Sequence, residues 1–369
     1  MNAFARVFAL VPDCHTSGRY QRVWRRHFYE GLQGAVPRVV LPHSVDFAWA
    51  RPAPSALPVP TPEREETSER LWGQIKTVHG QDGLDVVISY CFASDIDPAL
   101  IERTVELGVP WINFFCDSTY AFDRVDALAR VVSLNWFPEH AAIPSYRATG
   151  RPLLCRPYAL NPAALPEAVC VAPEHRLGFV GAPTSNRVVL LAALLALGSS
   201  ATVRGEGWQR AAAASSAGPP RQPVAADLRI RGRLIERLLS RGLKPLISRG
   251  SRALSEAEMT AFLARCRVVL GLNEGRDLQG RYQSYLKLRD VEFPGYGCCY
   301  LTQHNQDIEQ SFELEREVLT FRHITEAAAW VRWSVRHADA ARAIGTAGRR
   351  RVLAEHTWTA RLSELERAL

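Results

Sequence analysis

Several features that would place a protein in a special class are missing from this sequence of 369 residues. No apolar run approaches the roughly 20 residues that a membrane-spanning helix needs, which argues against an integral membrane protein. Residues 1–11 form an interrupted apolar stretch that ends at Pro12, and this pattern favours a first buried strand over a secretion signal. The chain also lacks internal repeats and the signature of a nucleic-acid-binding module, so no nucleic-acid partner is expected.

The eight cysteines lack the spacing of a metal site or of a disulfide framework. None forms a Cys-x-x-Cys pair, and most lie within apolar stretches that are typical of strands. The sequence therefore predicts buried free thiols, with no bound metal and no disulfide. This use of cysteine also predicts a cytoplasmic location.

The composition that is present is ordinary for a soluble globular protein, with 47% hydrophobic and 22% charged residues. A chain of 369 residues is expected to form two domains. The formal net charge of +7 favours anionic partners. Much of that charge falls in residues 229–252, where arginines alternate with the leucines of an amphipathic pattern. This segment is either a solvated basic face or a surface for an anionic acceptor or for anionic lipid at the inner membrane face.

Short apolar stretches alternate with helical patterns along the first part of the chain. The stretches that predict strands lie at residues 7–11, 39–41, 84–90, 109–115, 131–137 and 153–160. Such alternation is typical of an α/β domain with a parallel sheet. The pattern is lost between Pro166 and Pro173, and a second series begins with a strand over residues 176–180. We therefore predict an N-terminal Rossmann-like domain of residues 1–168 and a C-terminal one of residues 169–369.

Residues 284–301 combine positive charge, a carboxylate and a glycine-rich turn. Lys287 and Arg289 lie at the predicted start of a helix, where backbone N–H groups and the helix dipole also favour a bound phosphate. Glu292 follows Arg289 by three residues on the same helical face, and its carboxylate can accept hydrogen bonds from the two hydroxyls of a ribose. These groups predict a nucleotide-sugar site. A surface helix with an intrahelical Arg–Glu pair explains the same spacing.

The run from Lys287 to Thr302 resembles the K-x-R-x-x-E-x-x-x-x-G-x-x-L-L-T block of the CgeB-type (spore-maturation-type) glycosyltransferases. Residues 355–361, Glu-His-Thr-Trp-Thr-Ala-Arg, are similar to the closing E-H-T-Y-x-x-R of that family. The resemblance covers most of residues 175–365, whereas the N-terminal half matches loosely. It implies the GT-B architecture, in which two Rossmann-like domains face each other across a cleft and the last helix packs back on the N-terminal domain.

The resemblance implies an enzyme of the hexosyltransferase type. It would move a sugar from a nucleoside-diphosphate sugar, with UDP the favoured nucleotide, to a hydroxyl of a glycan or other acceptor. Neither a metal nor another cofactor is implied, and the anomeric configuration would be retained. Two alternatives stay open at this point: a catalytically silent GT-B-like binding or assembly protein, and a sugar-nucleotide epimerase or phosphorylase on the same scaffold.

The resemblance also implies roles for residues of the C-terminal domain. Lys287 and Arg289 would hold the diphosphate, and Arg289 would stabilise its charge as it departs. Glu292 would bind the ribose hydroxyls. The other implied donor-binding residues are two glycines that let backbone approach the donor, a glycine turn after a strand and a second phosphate ligand: Gly295, Gly297, Gly181 and Arg187.

One departure concerns the donor sugar, because related retaining enzymes often carry an acidic residue seven or eight positions before the ribose-binding glutamate. Those positions are Tyr285 and Ser284 here, which leaves the stereochemistry open.

Two residues of the N-terminal domain are candidates for catalysis. Asp117 follows the predicted strand of residues 109–115 and matches a family aspartate, which implies either a general base or a hydrogen-bond acceptor for the acceptor hydroxyl. It is also placed to cap a helix that begins at Ser118. His15 lies in the first strand–helix loop, where it would face the active site or act as a surface or capping histidine.

Three aromatic or imidazole side chains of the C-terminal part are assigned to packing. Trp330 and Trp333 are expected in a core in preference to a sugar-binding platform. His356 is expected to have a packing or interdomain role.

Overall fold

The computed structural model describes residues 4–15, 19–50, 61–166, 173–208, 254–276 and 282–369. They form two compact units. The first unit contains the described residues of Met1–Ala164 together with Ala354–Leu369, and the second contains those of Leu165–Arg276 and Gly280–Leu353. The basic segment 229–252 lies outside the described residues. No described helix is long and apolar enough to cross a membrane.

The first unit is built on a six-stranded parallel sheet in the order β2-β1-β3-β4-β5-β6. All residues of three central strands are buried, as expected for a parallel sheet that is covered on both faces. The strands are β1 (Arg6–Leu10), β2 (Arg38–Val40), β3 (Val86–Ser89), β4 (Trp111–Phe114), β5 (Leu134–Phe137) and β6 (Leu153–Cys155).

Two helices of the first unit begin at side-chain caps. Thr61 accepts a hydrogen bond from the backbone N–H of Arg64, and Asp97 accepts one from Ala99. A π-helical turn, Arg25–Tyr29, joins the first two helices. The helices are α1 (Arg19–Trp24), α2 (Glu30–Ala35), α3 (Pro62–Asp82), α4 (Pro98–Glu106), α5 (Asp126–Ala129) and α6 (Ile143–Arg147).

The C-terminal helix of the chain belongs to the first unit, where the indole of Trp358 is buried. Its Nε1 donates a hydrogen bond to the carbonyl of His27 at 2.6 Å. Its ring contacts those of Phe28 and Trp136 at centroid distances of 4.9 and 5.7 Å. A side chain at Gly31 would collide with this indole, so the glycine makes room for it.

The segment that leads into this helix pairs with a loop of the same unit. Leu160 donates a backbone hydrogen bond to the carbonyl of buried His356 at 2.8 Å, and Leu160 and Thr357 form a bridge. The sequence predicts one strand over residues 153–160, but β6 ends at Cys155. Leu160 pairs with Thr357 and not with the sheet. This pairing also gives His356 a packing position within the first unit.

The second unit contains a five-stranded parallel sheet in the order β13-β12-β9-β7-β8 and a separate antiparallel hairpin, β10-β11. Its strands are β7 (His175–Val180), β8 (Thr202–Arg204), β9 (Cys266–Gly271), β10 (Glu274–Arg276), β11 (Tyr282–Ser284), β12 (Tyr300–Gln303) and β13 (Leu319–Phe321). Its described helices are α7 (Ser185–Ala196), α8 (Glu256–Ala264), α9 (Leu288–Gly295), α10 (Gln306–Ser311), α11 (Ile324–Arg336) and α12 (Ala338–Glu355), and α13 (Trp358–Ala368) follows in the first unit.

The core of the second unit packs aliphatic side chains of α7 and α11 against the sheet. Trp330 and Trp333 are partly buried against this core, which confirms the packing assignment made from the sequence. The seven described cysteines are buried free thiols, as predicted. Burial raises the pKa of Cys14, Cys266 and Cys299 to about 12, so these thiols stay protonated at neutral pH.

Removal of the Trp358 side chain should strongly destabilise the first unit. Trp358→Ala deletes a fully packed indole and a buried hydrogen bond, so we expect a loss of about 3–5 kcal/mol in the free energy of unfolding. Trp358→Phe keeps most of the ring packing and should lose less. Urea unfolding followed by circular dichroism measures both changes, and an alanine variant that unfolds like the wild type would contradict this account of the C-terminal helix.

Candidate functional site

Two arginine side chains converge on Gly181, where β7 ends. A Cβ atom built at Gly181 would lie 3.2 Å from Nη1 of Arg289 and 3.4 Å from Nη1 of Arg187. Arg289 comes from the first turn of α9 and Arg187 from the first turn of α7. The structure therefore brings together three of the residues that the sequence proposed for the donor, at the carboxyl edge of a parallel sheet where ligands commonly bind.

Backbone carbonyl groups at the ends of two strands orient these arginines. Arg289 donates from Nη1 to the carbonyl of Val180 at 3.1 Å. Arg187 donates from Nε to the carbonyl of Leu272, just after β9, at 3.1 Å and from Nη1 to Ala182 at 3.0 Å. Both side chains are half-buried. Because each guanidinium bonds to backbone that the sheet holds fixed, the two positive charges have defined positions before any ligand binds.

The loop after β8 holds Gly181 from the other side. Nε1 of Trp208 donates a hydrogen bond to the carbonyl of Gly181 at 2.7 Å, and this indole is buried. A side chain at Gly205 would collide with the same carbonyl, so only glycine allows the two loops to approach. The sequence reasoning did not name Trp208 or Gly205 as site residues, although Gly-x-Gly-Trp after a strand is the signal that points to them.

The start of α9 is fixed by the buried carboxylate of Asp290. Its Oδ2 accepts the backbone N–H of Lys287 at 2.7 Å. Its Oδ1 accepts three side-chain donors, from Asn273 at 2.6 Å, Tyr300 at 2.8 Å and Thr302 at 3.1 Å. Burial raises the pKa of the Asp290 carboxyl, and the hydrogen bonds from Lys287, Tyr300 and Thr302 oppose that shift.

Asp290 was not singled out from the sequence. The signal that could have found it is its spacing, because an acidic side chain three residues after a helix-capping position commonly bonds back to the backbone N–H at the cap. Its position places Lys287 at the cap of α9 and Arg289 within the first turn.

The rest of α9 is buried, and this burial corrects one expectation. Residues Asp290 to Gly295 are all buried, with Glu292 9% exposed, so the alternative of a surface helix is wrong. A Cβ atom at Gly295 would lie 3.0 Å from Leu165 and 3.2 Å from Val352, and Gly297 has φ +81 just after the helix end. Gly295 therefore has a packing reason and Gly297 a turn reason, and their predicted approach to a donor stays a prediction.

In the first unit, Asp117 lies just after β4 in the left-handed backbone conformation, with φ +56. Residues 116–120 form turns, and the next helical turn begins at Phe122. The interpretation of Asp117 as the cap of a helix from Ser118 is therefore wrong. A non-glycine residue in this conformation is strained, and such strain is concentrated at functional sites.

His15 follows β1 at the same edge of the first sheet as Asp117, because all six strands are parallel. Its Nε2 lies 2.9 Å from the hydroxyl of Tyr29, which accepts a hydrogen bond from the backbone N–H of Val11 at 2.8 Å. Burial and the nearby charge of Arg25 lower the pKa of His15 below 6.5, so the imidazole is neutral at pH 7. Its half-buried position is unlike that of a surface or capping histidine.

The described residues contain no group of three or more histidine, cysteine, aspartate or glutamate side chains that could hold a metal ion. The groups that meet at Gly181 are the guanidinium groups of Arg187 and Arg289. Those at the start of α9 are the carboxylate of Asp290 with its amide and hydroxyl donors.

Replacement of Asp290 by the isosteric asparagine should destabilise the second unit. An amide has one acceptor atom, so its NH₂ must face either the Lys287 N–H or the three donors at Oδ1. We expect a loss of about 1–3 kcal/mol in the free energy of unfolding, measured with urea. Asp339→Asn is the matched control, because the Asp339 side chain is 97% exposed. Equal stability of the two variants would contradict the anchoring role.

The imidazole of His15 should titrate with a pKa below 6.5, its ordinary value. NMR of the ring signals, assigned with His15→Asn, measures this pKa directly. Arg25→Gln should raise it, since a repelling charge is removed. The unfolded chain then binds the proton more readily than the folded one, so this group makes stability fall as pH decreases below 6.5. A measured pKa at or above 6.5 would contradict the described burial.

Residues 190–367 match the family model described as "Glycosyl transferase-like". A comparison with curated protein sequences gives no match. The fold is similar to that of sucrose-phosphate synthase from Thermosynechococcus elongatus, with TM-score 0.57 and 13% identity over 98% of each chain. It is similar to HepE of Anabaena in complex with UDP-glucose, with TM-score 0.57 and 9% identity over 98% of this chain and 100% of that one. A glycosyltransferase of Rickettsia africae gives TM-score 0.57 and 10% identity over 99% and 97%.

These structures are similar in fold along the whole chain, and the family model covers the part that carries Arg289, Asp290 and Glu292. The predicted α/β class with two Rossmann-like sheets is confirmed. Residues 190–367 thus match a glycosyl transferase-like family model, and the fold of the whole chain is similar to that of solved glycosyltransferases with a GT-B fold.

Proposed function

We propose that the second unit binds the diphosphate of a nucleotide sugar between Arg187, Arg289 and Lys287. The observation that carries the proposal is the convergence of the two guanidinium groups on Gly181, beside the first turn of α9. Guanidinium groups bind phosphate oxygens in a bidentate manner, and a helix start adds backbone donors. The absence of a Cβ atom at Gly181 leaves room for a phosphate close to both arginines.

The nucleotide that this site accepts is UDP in our proposal. HepE, which shares the fold, has been solved with UDP-glucose. Glu292 follows Arg289 by one helical turn, and its carboxylate binds the two hydroxyls of the ribose, as the CgeB-type block implies. Gly181, Arg187, Lys287, Arg289 and Glu292 then form the donor site.

The reaction is the transfer of a hexose to a hydroxyl of a glycan or other acceptor. The bond between the anomeric carbon and the diphosphate oxygen breaks, and a bond from the acceptor oxygen to that carbon forms. Arg289 stabilises the charge that develops on the departing diphosphate, so in this proposal no metal is required. Asp117 accepts the proton of the acceptor hydroxyl or holds that hydroxyl by a hydrogen bond, and neutral His15 assists on the acceptor side.

The finer assignments complete the proposal. The protein is a CgeB-type enzyme that retains the anomeric configuration of the sugar. It works in the cytoplasm without another cofactor. Residues 229–252 attach it to the anionic inner face of the membrane.

A donor panel tests the activity. Purified protein is incubated with UDP-, GDP- and dTDP-sugars, without and with EDTA and with a panel of sugar alcohols and oligosaccharides as acceptors. We expect release of UDP from one UDP-sugar, unchanged by EDTA, and a product with the same anomeric configuration as the donor. Release of another nucleotide would refute the choice of UDP, and loss with EDTA would refute metal independence.

Site variants test the residues. Arg289→Ala and Arg187→Ala each remove a charged hydrogen-bonding group, so the affinity for UDP measured by calorimetry should fall about 10- to 100-fold. The exposed Arg350 on α12 provides the control variant Arg350→Ala, which should bind UDP like the wild type. Variants that remain folded and bind UDP normally would refute the proposed diphosphate site.

A further inference from the structure

The carboxyl edge of the first sheet holds a second buried carboxylate, Glu139, which the proposed function does not use. It follows β5, the strand beside β4, and its side chain is 0% exposed. A carboxylate in such a position is costly unless it accepts hydrogen bonds, so its partners indicate what it does.

One oxygen of this carboxylate accepts hydrogen bonds from two residues of the turn after β4. Oε2 of Glu139 accepts the hydroxyl of Ser118 at 3.0 Å and the backbone N–H of Thr119 at 2.6 Å. The two donors are consecutive residues, and they immediately follow Asp117. The carboxylate thus fixes the turn at the point where the chain leaves the left-handed conformation of Asp117.

That conformation needs support from its surroundings. The left-handed region is less favourable for a residue with a Cβ atom than for glycine, although aspartate adopts it more readily than most, so contacts around the turn help to hold it there. On the other side of Asp117 the turn is held by Cys116, whose Sγ lies 2.8 Å from the hydroxyl of buried Tyr158. Asp117 therefore lies between two anchored residues, while its own side chain is only half-buried.

We propose that Glu139 is a positioning residue for the acceptor site: by bonding to Ser118 and Thr119 it holds Asp117 in the strained conformation that presents its carboxylate to the acceptor hydroxyl. The inference rests on the proposed role of Asp117. It adds a residue that does not touch the substrate and that acts through hydrogen-bond acceptance at one oxygen.

The geometry makes a sharp distinction between two substitutions. Because both donors bond to the same oxygen, the single carbonyl oxygen of glutamine can accept both of them. Glu139→Gln therefore keeps the hydrogen bonds of the turn and removes the negative charge. Glu139→Ala removes the oxygen that accepts both hydrogen bonds. Ser118→Ala removes one of the two bonds and leaves the other.

The test uses UDP-glucose, or the UDP-sugar that the donor panel identifies, and measures kcat and KM for UDP release with the intact protein. Glu139→Ala should lower kcat about 10- to 100-fold, since small misplacement of a reacting group has effects of this size. KM for the donor and the affinity for UDP should stay within about twofold of the wild type, because Arg187 and Arg289 are unchanged. Glu139→Gln should keep most of the activity, and Ser118→Ala should fall in between.

Asp117→Asn separates this inference from the proposed function. If Asp117→Asn lowers kcat and Glu139→Ala, shown to be folded by circular dichroism and by normal UDP binding, does not, the inference fails and the role of Asp117 stands. If Asp117→Asn has no effect, both fail. If Glu139→Gln loses as much activity as Glu139→Ala, the charge of Glu139 is what matters, and positioning by the hydrogen bonds is refuted. If Glu139→Ala does not fold, the test compares Glu139→Gln with Ser118→Ala. A wild-type kcat in both of these variants would overturn the inference.

Discussion

A single buried carboxylate, that of Asp290, joins the parts of the second unit on which the proposed donor site depends. It joins the start of α9 to Asn273 after β9 and to two residues of β12. The two strands are neighbours in the sheet, so the helix start is held against a rigid surface. The close packing extends to Gly271, where any side chain would collide with the hydroxyl of Tyr300. Arg289 takes its position from this anchor, because it lies one residue before Asp290.

The two arginines at Gly181 are positioned by hydrogen bonds to the main chain. Their partners are main-chain carbonyl groups at strand ends, which the parallel sheet fixes without any further side chain. Arginine suits this arrangement because its planar fork can bond to a carbonyl on one side and still present positive charge on another. A lysine has a single charged nitrogen and would not keep the same geometry. The proposed donor cluster is therefore preorganised, which is the condition under which charge stabilisation of a departing group is most effective.

The first unit uses the same principle at the carboxyl edge of its own sheet. Asp117 and His15 follow two of its parallel strands, and each is held by buried groups nearby. In both units, then, polar side chains are exposed to some degree while the groups that hold them are buried. The buried groups hold the candidate side chains in place, and the candidate side chains themselves remain accessible.

The sequence by itself determined the α/β class, the approximate strand positions and the candidate residues that carry a local signature. Alternating apolar and helical stretches specify parallel sheets, because buried strands need no polar face. Lys287, Arg289 and Glu292 were found since their spacing within one helix turn is a local property. The candidates Asp117 and His15 came from their positions after predicted strands, which the structure has as β4 and β1.

Only the tertiary structure decided which residues hold these groups in place. The bond of Asp290 to Lys287 follows a local spacing, but its bond to Tyr300 and that of Glu139 to Ser118 follow no local pattern. The same holds for the C-terminal helix, whose Trp358 packs against Gly31 from the other end of the sequence. The structure adds a close contact at Gly295 and a turn at Gly297, two further reasons for glycine that the sequence pattern does not distinguish from approach to a ligand. Local spacing thus encodes candidate chemistry, whereas long-range packing sets the positions of the groups.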